Sequence, residues 1–532
     1  MAISTNSDSP TYLELNKAWK STCKILFGEE LGELKDNREW LLEYIGKPIT
    51  EKSAVSGKDV NLAIDDYCKG SKFMRFDENN FINKFEPLNI NEVKDIDSIV
   101  GAVQERVYYT GDLVLGNSRG VEGSSNITDS FNILNSYFLD ACQNVAYSMY
   151  LRSNNFAFGV FGAALSDFMI RNLVIGPNCH RLFETFRIRE SSDIYYSANL
   201  EGCSECIFCF NLNGKRNSIG NLELQKDKYK TLKEKLVAEM KESIKGKKIS
   251  LFDIMSKLPK EKVNVEVREK KEKFSITPIS TAFKSTFEII LKKKPGEIED
   301  YKNYLQKHKV PKITEINDTA SNESIAFTDD YNGSAIPRHR LISESESLSL
   351  SENTRSLDAE EVMQLSLLDN ATLAKIAFMP LGHVSGRTSN VSKMLWNNFS
   401  ASNCYSGMGF AECKETAYSF WPRQSSYIFG SAMVFDSSYC INTYYSKKMA
   451  RSFEIDGCTN CSDIYFAHNC ENVNDSMFCF NVKNMKNAIG NATLPLDKYK
   501  KMKDLLIEQV ADEILKNKEL KWDIYNIGCG KK

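Results

Sequence analysis

Residues 142–214 divide into six consecutive segments: CQNVAYSMYLRS, NNFAFGVFGAAL, SDFMIRNLVIGPN, CHRLFETFRIRE, SSDIYYSANLEG and CSECIFCFNLNG. Each segment has 12 residues except the third, which has 13. Three positions are apolar or cysteine in every segment: position 4 (Val145, Ala157, Met169, Leu182, Ile194, Cys206), position 8 (Met149, Phe161, Leu173, Phe186, Ala198, Phe210) and position 10 (Leu151, Ala163, Ile175, Ile188, Leu200, Leu212). A short fixed period with apolar columns is typical of a solenoid, and 12 residues are too few for a helix pair.

The residues between these columns favour turns and strands. Asn, Ser, Asp and Gly favour turns, and the interspersed Tyr, Phe, Val and Ile favour strands. We therefore predict a β-solenoid of about six or seven steps, with neighbouring coils about 4.8 Å apart. A coil of 12 residues predicts a narrow solenoid about 30 Å long, and a coil of 24 residues predicts a wider one of about half that length. The sequence leaves both coil sizes open.

A repeated motif indicates an internal tandem duplication. The two copies are FCFNLNGKRNSIGNLELQKDKYK (208–230) and FCFNVKNMKNAIGNATLPLDKYK (478–500). Between 191–221 and 461–491, 14 of 31 positions are identical. The 12-residue step also recurs in the second half, with segments that start at Cys413, Ser425, Ser437, Met449, Cys461 and Val473. With weaker matches near the N-terminus, the duplication covers about 12–256 and 276–526.

We predict an α+β chain in which each half holds an N-terminal helical and mixed segment, a short β-solenoid and a C-terminal capping helix. The predicted boundaries are 1–125, 126–221 and 222–274 in the first half, and 275–389, 390–491 and 492–532 in the second. Apolar residues at helical spacing from Tyr12 to Leu26 predict the first helix, and Asp227 is the predicted N-cap of a capping helix. Such a helix would cover the unpaired strand edge of the last coil.

The charge and hydropathy of the sequence indicate which binding partners and which cellular location to expect. The formal net charge of −2 favours neither nucleic acid nor an anionic membrane. The lysine-rich stretch 241–274 predicts a solvated helix or linker, and the Ser/Glu-rich stretch 340–360 predicts a mobile loop. No run approaches the roughly 18 apolar residues that span a bilayer, and the N-terminus does not resemble a signal peptide. We expect a cytoplasmic protein, or another intracellular or virion component, with reduced thiols.

The cysteines raise the question of a metal site. Cys203, Cys206 and Cys209 form a CxxCxxC cluster, and Cys458 and Cys461 form a CxxC, spacings that zinc and iron–sulfur sites use. The other half provides a control, because Val473 and Ser476 align with Cys203 and Cys206. Valine in place of cysteine favours packed, buried thiols over metal ligands. Zinc or iron therefore stays an alternative, and we expect no cofactor.

The remaining candidates for chemistry favour structural roles. The Ser56-Gly57-Lys58 stretch lacks a P-loop pattern and predicts a turn that leads into a strand. The acidic pairs Asp65-Asp66 and Asp329-Asp330 predict turns or helix caps. None of the histidines aligns with a histidine of the other half, and none of the familiar catalytic motifs is found, so no catalytic residue is predicted.

The repeated motif itself offers four candidates for ligand binding. They are the polar residues Asn221, Asn491, Lys228 and Lys498, and we expect Asn221 and Lys228 to be exposed. The apolar residues of the motif fall in the columns of the ladder, and Gly220 lies where the last coil must turn into the helix. The motif therefore predicts the place where each solenoid is closed.

The CxxCxxCFNL stretch from Cys203, followed by Lys215, Ile219, Asn221 and 227–229 (Asp-Lys-Tyr), resembles a group of uncharacterised cysteine-rich repeat proteins. These proteins occur in small-genome bacteria, archaea and some of their viruses, and Ser56-Gly57-Lys58 is also similar to them. The zinc-ribbon-like N-terminal cysteines of some members are absent from this sequence. The resemblance implies an architecture and no catalytic residue.

Three hypotheses about function follow. The first is a non-enzymatic scaffold or binding protein, pseudo-dimeric within one chain, that acts by protein–protein contact or self-assembly. The second is an enzyme on a carbohydrate or acyl substrate, with a site on a solenoid face or between the modules. The third is a cysteine-ligated metal protein. The sequence favours the first hypothesis.

Overall fold

The computed structural model describes residues 8–80, 95–261, 265 and 274–529. These residues belong to two compact units. Unit 1 comprises Met1–Ile49, Asp112–Lys270 and Glu315–Gly382, and unit 2 comprises Thr50–Gly111, Lys271–Thr314 and His383–Lys532. Both units contain helices and long strand arrays, so the prediction of a mixed α+β chain is confirmed.

Unit 1 contains a sheet of 17 strands, which we call the first array. Its strands are Val114–Leu115, Arg119–Glu122, Ser125–Thr128, Phe131–Leu134, Tyr137–Asp140, Gln143–Ala146, Met149–Arg152, Asn155–Phe158, Phe161–Ala164, Ser166–Ile175, Cys179–Arg189, Ser192–Tyr195, Ala198–Glu201, Ser204–Ile207, Phe210–Asn213, Arg216–Ile219 and Leu222–Glu223. The last strand pairs antiparallel with the one before it, and the pairings between the other strands are parallel wherever their register is known.

The parallel pairing joins residues that are 12 positions apart. Gln143 lies opposite Asn155, and Met149 lies opposite Phe161. Two steps are longer by one residue, because Val114 lies opposite Ile127 and Ser166 lies opposite Cys179. The 12-residue step of the sequence is therefore the register of the parallel strands.

Every third residue along this stretch has a left-handed backbone. Asn144, Tyr147, Tyr150 and Ser153 have φ between 54° and 61°. Side chains three residues apart consequently point to the same side, and positions 1, 4, 7 and 10 of the segments, beginning with Cys142, face the interior. Positions 1 and 7 are mostly small polar residues or cysteine, and positions 4 and 10 are mostly apolar.

The structure separates the apolar column at position 8 from the columns at positions 4 and 10, which the sequence prediction treated alike. Its side chains are largely buried, but they lie outside the interior cluster that holds positions 4 and 10. The ring of Phe186 contacts Phe252, and the ring of Phe161 contacts Tyr331, both from other elements of unit 1. A column with a period of 12 is apolar whether it faces inward or lies beneath a covering element, so the period alone does not distinguish the two.

Helices cover the outside of the first array. The α-helices of unit 1 are Pro10–Phe27, Arg38–Leu42, Lys226–Lys245, Leu251–Lys257, Glu344–Glu352 and Ala359–Gln364, and its 3₁₀ helices are Leu34–Asn37, Gly333–Ala335, Arg338–Arg340 and Ala371–Lys375. Helix Pro10–Phe27 starts at Ser9, whose hydroxyl accepts from the Tyr12 amide, and lies across several strands. Its buried Trp19 packs edge-on against Phe158.

Unit 2 contains a second array of 11 strands. Its strands are Gly382–Ser385, Ser389–Phe399, Ser402–Met408, Lys414–Phe420, Ser426–Phe429, Ala432–Phe435, Ser438–Asp456, Thr459–His468, Glu471–Met477, Lys483–Ile489 and Ala492–Thr493. Ser402 lies opposite Lys414, which is the same step as in the first array, and the final strand is again antiparallel.

The helices and small sheets complete the two units. The α-helices of unit 2 are Ile96–Val103, Thr277–Leu291, Lys302–Leu305 and Leu496–Asn517, and its 3₁₀ helices are Phe76–Glu78, Gln104–Arg106 and Ile298–Tyr301. Among the described residues, three strand pairs lie outside the arrays: Ile49–Lys52 with Asp59–Leu62, Phe73–Arg75 with Tyr109–Gly111, and Thr314–Asn317 with Ser324–Phe327. The predicted turn at Ser56-Gly57-Lys58 is confirmed, since it connects the first of these pairs.

Each unit contains a segment from the other half of the sequence. Residues 315–382 belong to unit 1, where the Asn211 amide donates to Phe378 O (2.8 Å) of that segment. Residues 50–111 belong to unit 2, where the Asn481 amide donates to Tyr108 O (2.8 Å). The two compact units therefore differ from the two sequence halves.

The structure also corrects the prediction of a mobile loop at the Ser/Glu-rich stretch 340–360, because this stretch contains helix Glu344–Glu352. Ser343 and Glu346 form a capping box, with the Ser343 amide donating to the Glu346 carboxylate (2.7 Å). Glu346 is 1% exposed. In the lysine-rich stretch 241–274, residues 262–264 and 266–273 lie outside the described part. Helix Leu251–Lys257 buries four apolar side chains, so this part of the stretch is helical but not solvated as predicted.

Because each unit contains residues from both halves of the sequence, we expect the two halves to stay associated when the chain is cut between them. We expect a protease site inserted after the exposed Glu261 to give two fragments that stay together under reducing conditions, because residues of both fragments build each unit. Size-exclusion chromatography with light scattering checks this on the cleaved, native protein. Separation into two monodisperse fragments at micromolar concentration would contradict the division into units.

Candidate functional site

The candidate metal ligands Cys203, Cys206 and Cys209 lie in the interior of the first array. The Cys203 thiol donates to Glu201 O (3.4 Å) and accepts from the Lys215 amide (3.4 Å). In the second array, Cys458 and Cys461 are buried in the same way, and burial raises the pKa of the Cys461 thiol to about 12. The Cys461 thiol is therefore protonated at neutral pH, whereas a metal ligand is a thiolate.

Serine makes the same contacts at equivalent interior positions. The Ser148 hydroxyl donates to Ala146 O (3.0 Å) and accepts from the Val160 amide (3.0 Å). The interior thus needs a small side chain with one donor and one acceptor, which serine and cysteine both provide. Among residues 8–80, 95–261, 265 and 274–529, no three His, Cys, Asp or Glu side chains are grouped so as to hold a metal ion.

The repeated motif closes each array through an asparagine amide. Asn221 Oδ1 accepts from the Phe210 amide (2.8 Å), and its Nδ2 donates to Phe210 O (2.9 Å). Asn491 makes the same pair of bonds with Phe480 (2.8 Å each). The side-chain amide replaces the backbone of the next strand, so it satisfies a strand edge that would otherwise be open.

This geometry corrects the expected exposure of the motif. Asn221 and Asn491 are 6% and 2% exposed, so the prediction that Asn221 faces solvent is wrong. Their side chains already bond to backbone, which leaves them no free face for a ligand. Lys228 and Lys498 are exposed, each in the first turn of its helix, so only the lysines of the four candidates face solvent.

A buried glutamate that the sequence reasoning missed lies at the same place in both units. Glu184 accepts from Tyr44 Oη (3.0 Å) and from the Leu251 amide (3.1 Å). Glu454 accepts from Tyr304 Oη (2.8 Å) and from the Ile524 amide (3.1 Å). Both side chains are fully buried. The sequence signal is the Phe-Glu pair at 183–184, which recurs at the aligned positions 453–454.

The two glutamates differ in their countercharge. Arg171 Nε donates to Glu184 (2.5 Å), whereas the corresponding donor to Glu454 is the neutral Asn442 amide (2.8 Å). Burial, together with the nearby Asp523 carboxylate, raises the pKa of Glu454 to about 7. Burial also raises the pKa of Glu184, but Arg171 opposes that rise.

Further charged groups surround Asp523 in unit 2. Asp523 pairs with His308 Nε2 (3.2 Å) and with Lys307 (2.8 Å), and His308 Nδ1 contacts Asp66 (3.3 Å). Although burial lowers it, the hydrogen bonds to Asp523 and Asp66 raise the pKa of His308 to about 9. The Asp65-Asp66 pair therefore serves as a partner for cations, with both carboxylates near Lys309.

Unit 2 also contains a buried histidine–aspartate pair. The Thr110 amide donates to His468 Nε2 (2.8 Å), so Nδ1 carries the proton and donates to Asp456 (2.8 Å). His468 is 2% exposed, and Tyr525 Oη also donates to Asp456 (3.2 Å). These contacts hold segments together and leave no room for a substrate at the imidazole.

The outer face of each array carries two aromatic residues, an arginine and an aspartate at successive 12- or 13-residue steps, which we call the surface column. In unit 1 it consists of Phe156, Phe168, Arg181 and Asp193, and in unit 2 of Tyr427, Tyr439, Arg451 and Asp463. The two aromatic rings stack in both units, with centroids 4.8 Å apart in unit 1 and 4.7 Å in unit 2. The arginine and aspartate form a two-bond ion pair in both units.

The surface column is accessible to solvent. The aromatic side chains are half-buried, and the side chains of Arg181 and Arg451 are 39% and 43% exposed. One step further, an acidic residue contacts a lysine of the capping helix in each unit: Glu205 with Lys233 (2.5 Å), and Asp475 with Lys503 (4.0 Å). The column therefore presents edges of aromatic rings next to charged groups.

A second exposed row in unit 1 combines three residue types used in hydrolysis. His180 Nδ1 bonds to Asp167 (2.6 Å), and Ser192 lies opposite His180 in the next strand. The His180 and Asp167 side chains are 47% and 34% exposed. Bonded asparagine side chains join neighbouring strands elsewhere in the same array. The Asp167–His180 bond is therefore also consistent with a role that only joins two strands.

No protein-family model matches this chain, no curated protein matches its sequence and no solved structure matches its fold. Within the described part of the chain, none of the helices combines the length and the apolar character needed to cross a membrane.

Glu454 gives unit 2 a pH dependence that has the same sign as that of Glu184 in unit 1 but is not opposed by a neighbouring arginine. Because its pKa is raised in the folded protein, Glu454 contributes about 3 kcal/mol of stability at most, and this contribution is fully present below about pH 4.5. It is lost as the pH rises through 7 and the buried carboxyl group ionises. Glu454→Gln stays neutral and should remove this loss, measured by urea unfolding between pH 4.5 and 7. His308 adds a separate loss between about pH 6.5 and 9, which the variant keeps.

Glu184→Gln is the matched control, because it removes the buried carboxylate partner of Arg171 and leaves only the exposed Glu43 (2.7 Å) as its countercharge. It should destabilise the protein by about 3 kcal/mol or more at every pH from 4.5 to 7. A Glu454→Gln variant with the pH profile of the wild type would contradict the proposed role of this buried carboxyl group.

The interior thiols predict a simple substitution pattern. Cys203→Ser keeps a donor and an acceptor and should change the free energy of unfolding by less than about 1 kcal/mol, whereas Cys203→Ala leaves the Lys215 amide unpaired and should cost about 1–2 kcal/mol. Urea unfolding measures both. Zinc or iron that survives dialysis of the wild type and disappears in Cys203→Ser would favour the metal hypothesis instead.

Proposed function

We propose that the chain is a non-enzymatic scaffold built from two β-solenoids that arose by tandem duplication. The strand pairings Gln143–Asn155 in unit 1 and Ser402–Lys414 in unit 2 have the same step, which supports the shorter of the two coil sizes. The asparagine caps at Phe210 and Phe480 support a common plan for the two modules. We also propose that the chain belongs with the cysteine-rich repeat proteins that it resembles.

The surface column is the observation that carries this proposal. Interior positions differ between the halves, as where Val473 stands in place of Cys203, yet two solvent-accessible aromatic residues and an Arg–Asp pair occupy the same column in both. Side chains that only join neighbouring strands need only to be complementary to each other, and bonded asparagines serve that purpose elsewhere in both arrays. The repeated chemistry therefore favours a binding surface.

A protein partner, or another copy of this chain, fits the chemistry of the column. The rings stack on each other, so their edges face outward and offer narrow apolar strips instead of flat faces for a sugar. Arginine and aromatic side chains are enriched at the energetically important positions of protein interfaces. Backbone bonds between successive coils make the column rigid, which lowers the entropy cost of binding.

A pair of double variants tests the surface column. Arg181→Glu with Arg451→Glu reverses one charge in each unit and should weaken self-association or partner binding at least about tenfold. Lys228→Glu with Lys498→Glu makes the same charge change at the exposed lysines of the repeated motif and serves as the control. Sedimentation velocity over a range of concentrations, and cross-linking in cells, measure the two kinds of assembly.

The outcomes separate the possible sites. Loss of assembly in the arginine variant alone, with an unchanged thermal midpoint, supports the surface column. Loss in the lysine variant alone would move the site to Lys228 and Lys498. Equal assembly of both variants and the wild type would contradict the scaffold proposal at this surface.

The exposed Asp167–His180 pair favours a second candidate function, hydrolysis of an acyl substrate on the face of the first solenoid. In that case Ser192 would be the nucleophile and His180 the base. A panel of nitrophenyl esters tests this with the wild type, Ser192→Ala and His180→Ala. Turnover that both variants abolish would support the enzyme, and turnover that neither changes would exclude these residues.

A further inference from the structure

Residues 518–529, which we call the C-terminal clasp, are held by other stretches of unit 2. Ile524 O accepts from Tyr109 Oη (2.7 Å), and Asp523 pairs with His308 (3.2 Å). The clasp is thus fixed against residues 50–111 and 271–314 by polar contacts, several of which involve buried groups. These contacts are reversible, because each is an individual hydrogen bond or ion pair.

One covalent bond secures the end of the clasp. Cys68 and Cys529 form a disulfide, with Cα atoms 6.2 Å apart and a sequence separation of 461 residues. The Cys68 amide also donates to Tyr525 O (3.2 Å), so the two strands of chain already lie side by side. The expectation of reduced thiols is therefore wrong for these two cysteines, and the long separation explains why no spacing motif predicted the pair.

This pair differs from the other cysteines in accessibility. The remaining 13 cysteines are free and buried, and burial raises the pKa of thiols such as Cys142 and Cys413 to about 12. Cys68 and Cys529 are only partly buried. Thiol–disulfide exchange requires a reachable sulfur and an attacking thiolate, so an external reagent reaches this pair first.

We propose that the Cys68–Cys529 disulfide is a redox-controlled lock on the C-terminal clasp. A thiolate of an external dithiol attacks one sulfur, breaks the S–S bond and forms a mixed disulfide. The second thiol of the reagent then displaces it, so the dithiol is oxidised and Cys68 and Cys529 gain two electrons and two protons as thiols. With the lock open, the clasp is held by its polar contacts alone and opens more often.

Unit 1 provides an internal control for this lock. Its counterpart of the clasp is the stretch around helix Leu251–Lys257, where the Leu251 amide donates to Glu184 just as the Ile524 amide donates to Glu454. All cysteines of unit 1 in the described residues are free, so a reductant has no bond to break there.

Hydrogen exchange with mass spectrometry tests the proposal on the full-length protein. After treatment with oxidised glutathione, the denatured, unreduced chain should weigh about 2 Da less than the reduced chain, and peptide mapping should join Cys68 to Cys529. Dithiothreitol should then speed amide exchange in peptides covering 519–529 by about tenfold and leave peptides covering 249–258 unchanged. Cys68→Ser with Cys529→Ser should exchange like the reduced wild type with or without dithiothreitol.

Three results would overturn the lock. The first is that Cys68 and Cys529 stay open to alkylation after glutathione treatment, or that a different pair is joined. The second is that cutting the bond leaves exchange in 519–529 unchanged, which would make the disulfide irrelevant to the clasp. A dithiothreitol response in the double Ser variant equal to that of the wild type would likewise rule out this bond as the cause.

Discussion

The left-handed backbone at every third residue is the constraint on which both arrays depend. Each such non-glycine residue costs about 1 kcal/mol, and the arrays accept this cost many times. The compensation is that backbone bonds run from each segment to the segments before and after it, as from the Tyr147 amide to Leu134 O and from the Met149 amide to Val160 O. Asparagine is frequent at these positions because it tolerates the conformation better than most residues.

This constraint also explains the cysteines. With four inward positions in each segment, the interior is too narrow for large side chains at all of them, and two of the four bond to neighbouring backbone amides through small polar groups. Serine and cysteine both meet this requirement, so a column such as Ser191, Cys203 alternates between them without loss of the contact. The cysteines inside the two arrays thus need no metal to account for them.

The sequence predicted the step of 12 and the apolar columns at positions 4, 8 and 10, because burial on one side of a repeating unit imposes the same period on the chain. It misplaced position 8, since an outer column beneath a helix is apolar with the same period. The places of segments 50–111 and 315–382, the contacts of Glu454 and the Cys68–Cys529 bond were not predictable. Each depends on contacts between distant stretches, for which a single sequence gives no local pattern.

The differences between the halves show how one buried charge affects distant parts of a unit. Glu184 is balanced within its own array by Arg171, but Asn442 stands at that place in the second array and contributes no charge. Lys307 and His308 supply the positive charge near Glu454 instead, and both pair with Asp523 of the clasp, whose own carboxylate raises the pKa of Glu454. The clasp therefore sets the charge balance around Glu454 as well as contributing to the packing of the second array. Its counterpart in unit 1 lies beside Glu184, whose countercharge Arg171 belongs to the array itself and also pairs with Glu43. Release of the clasp would therefore alter the charges around Glu454, whereas release of its counterpart would leave the Arg171–Glu184 pair in place.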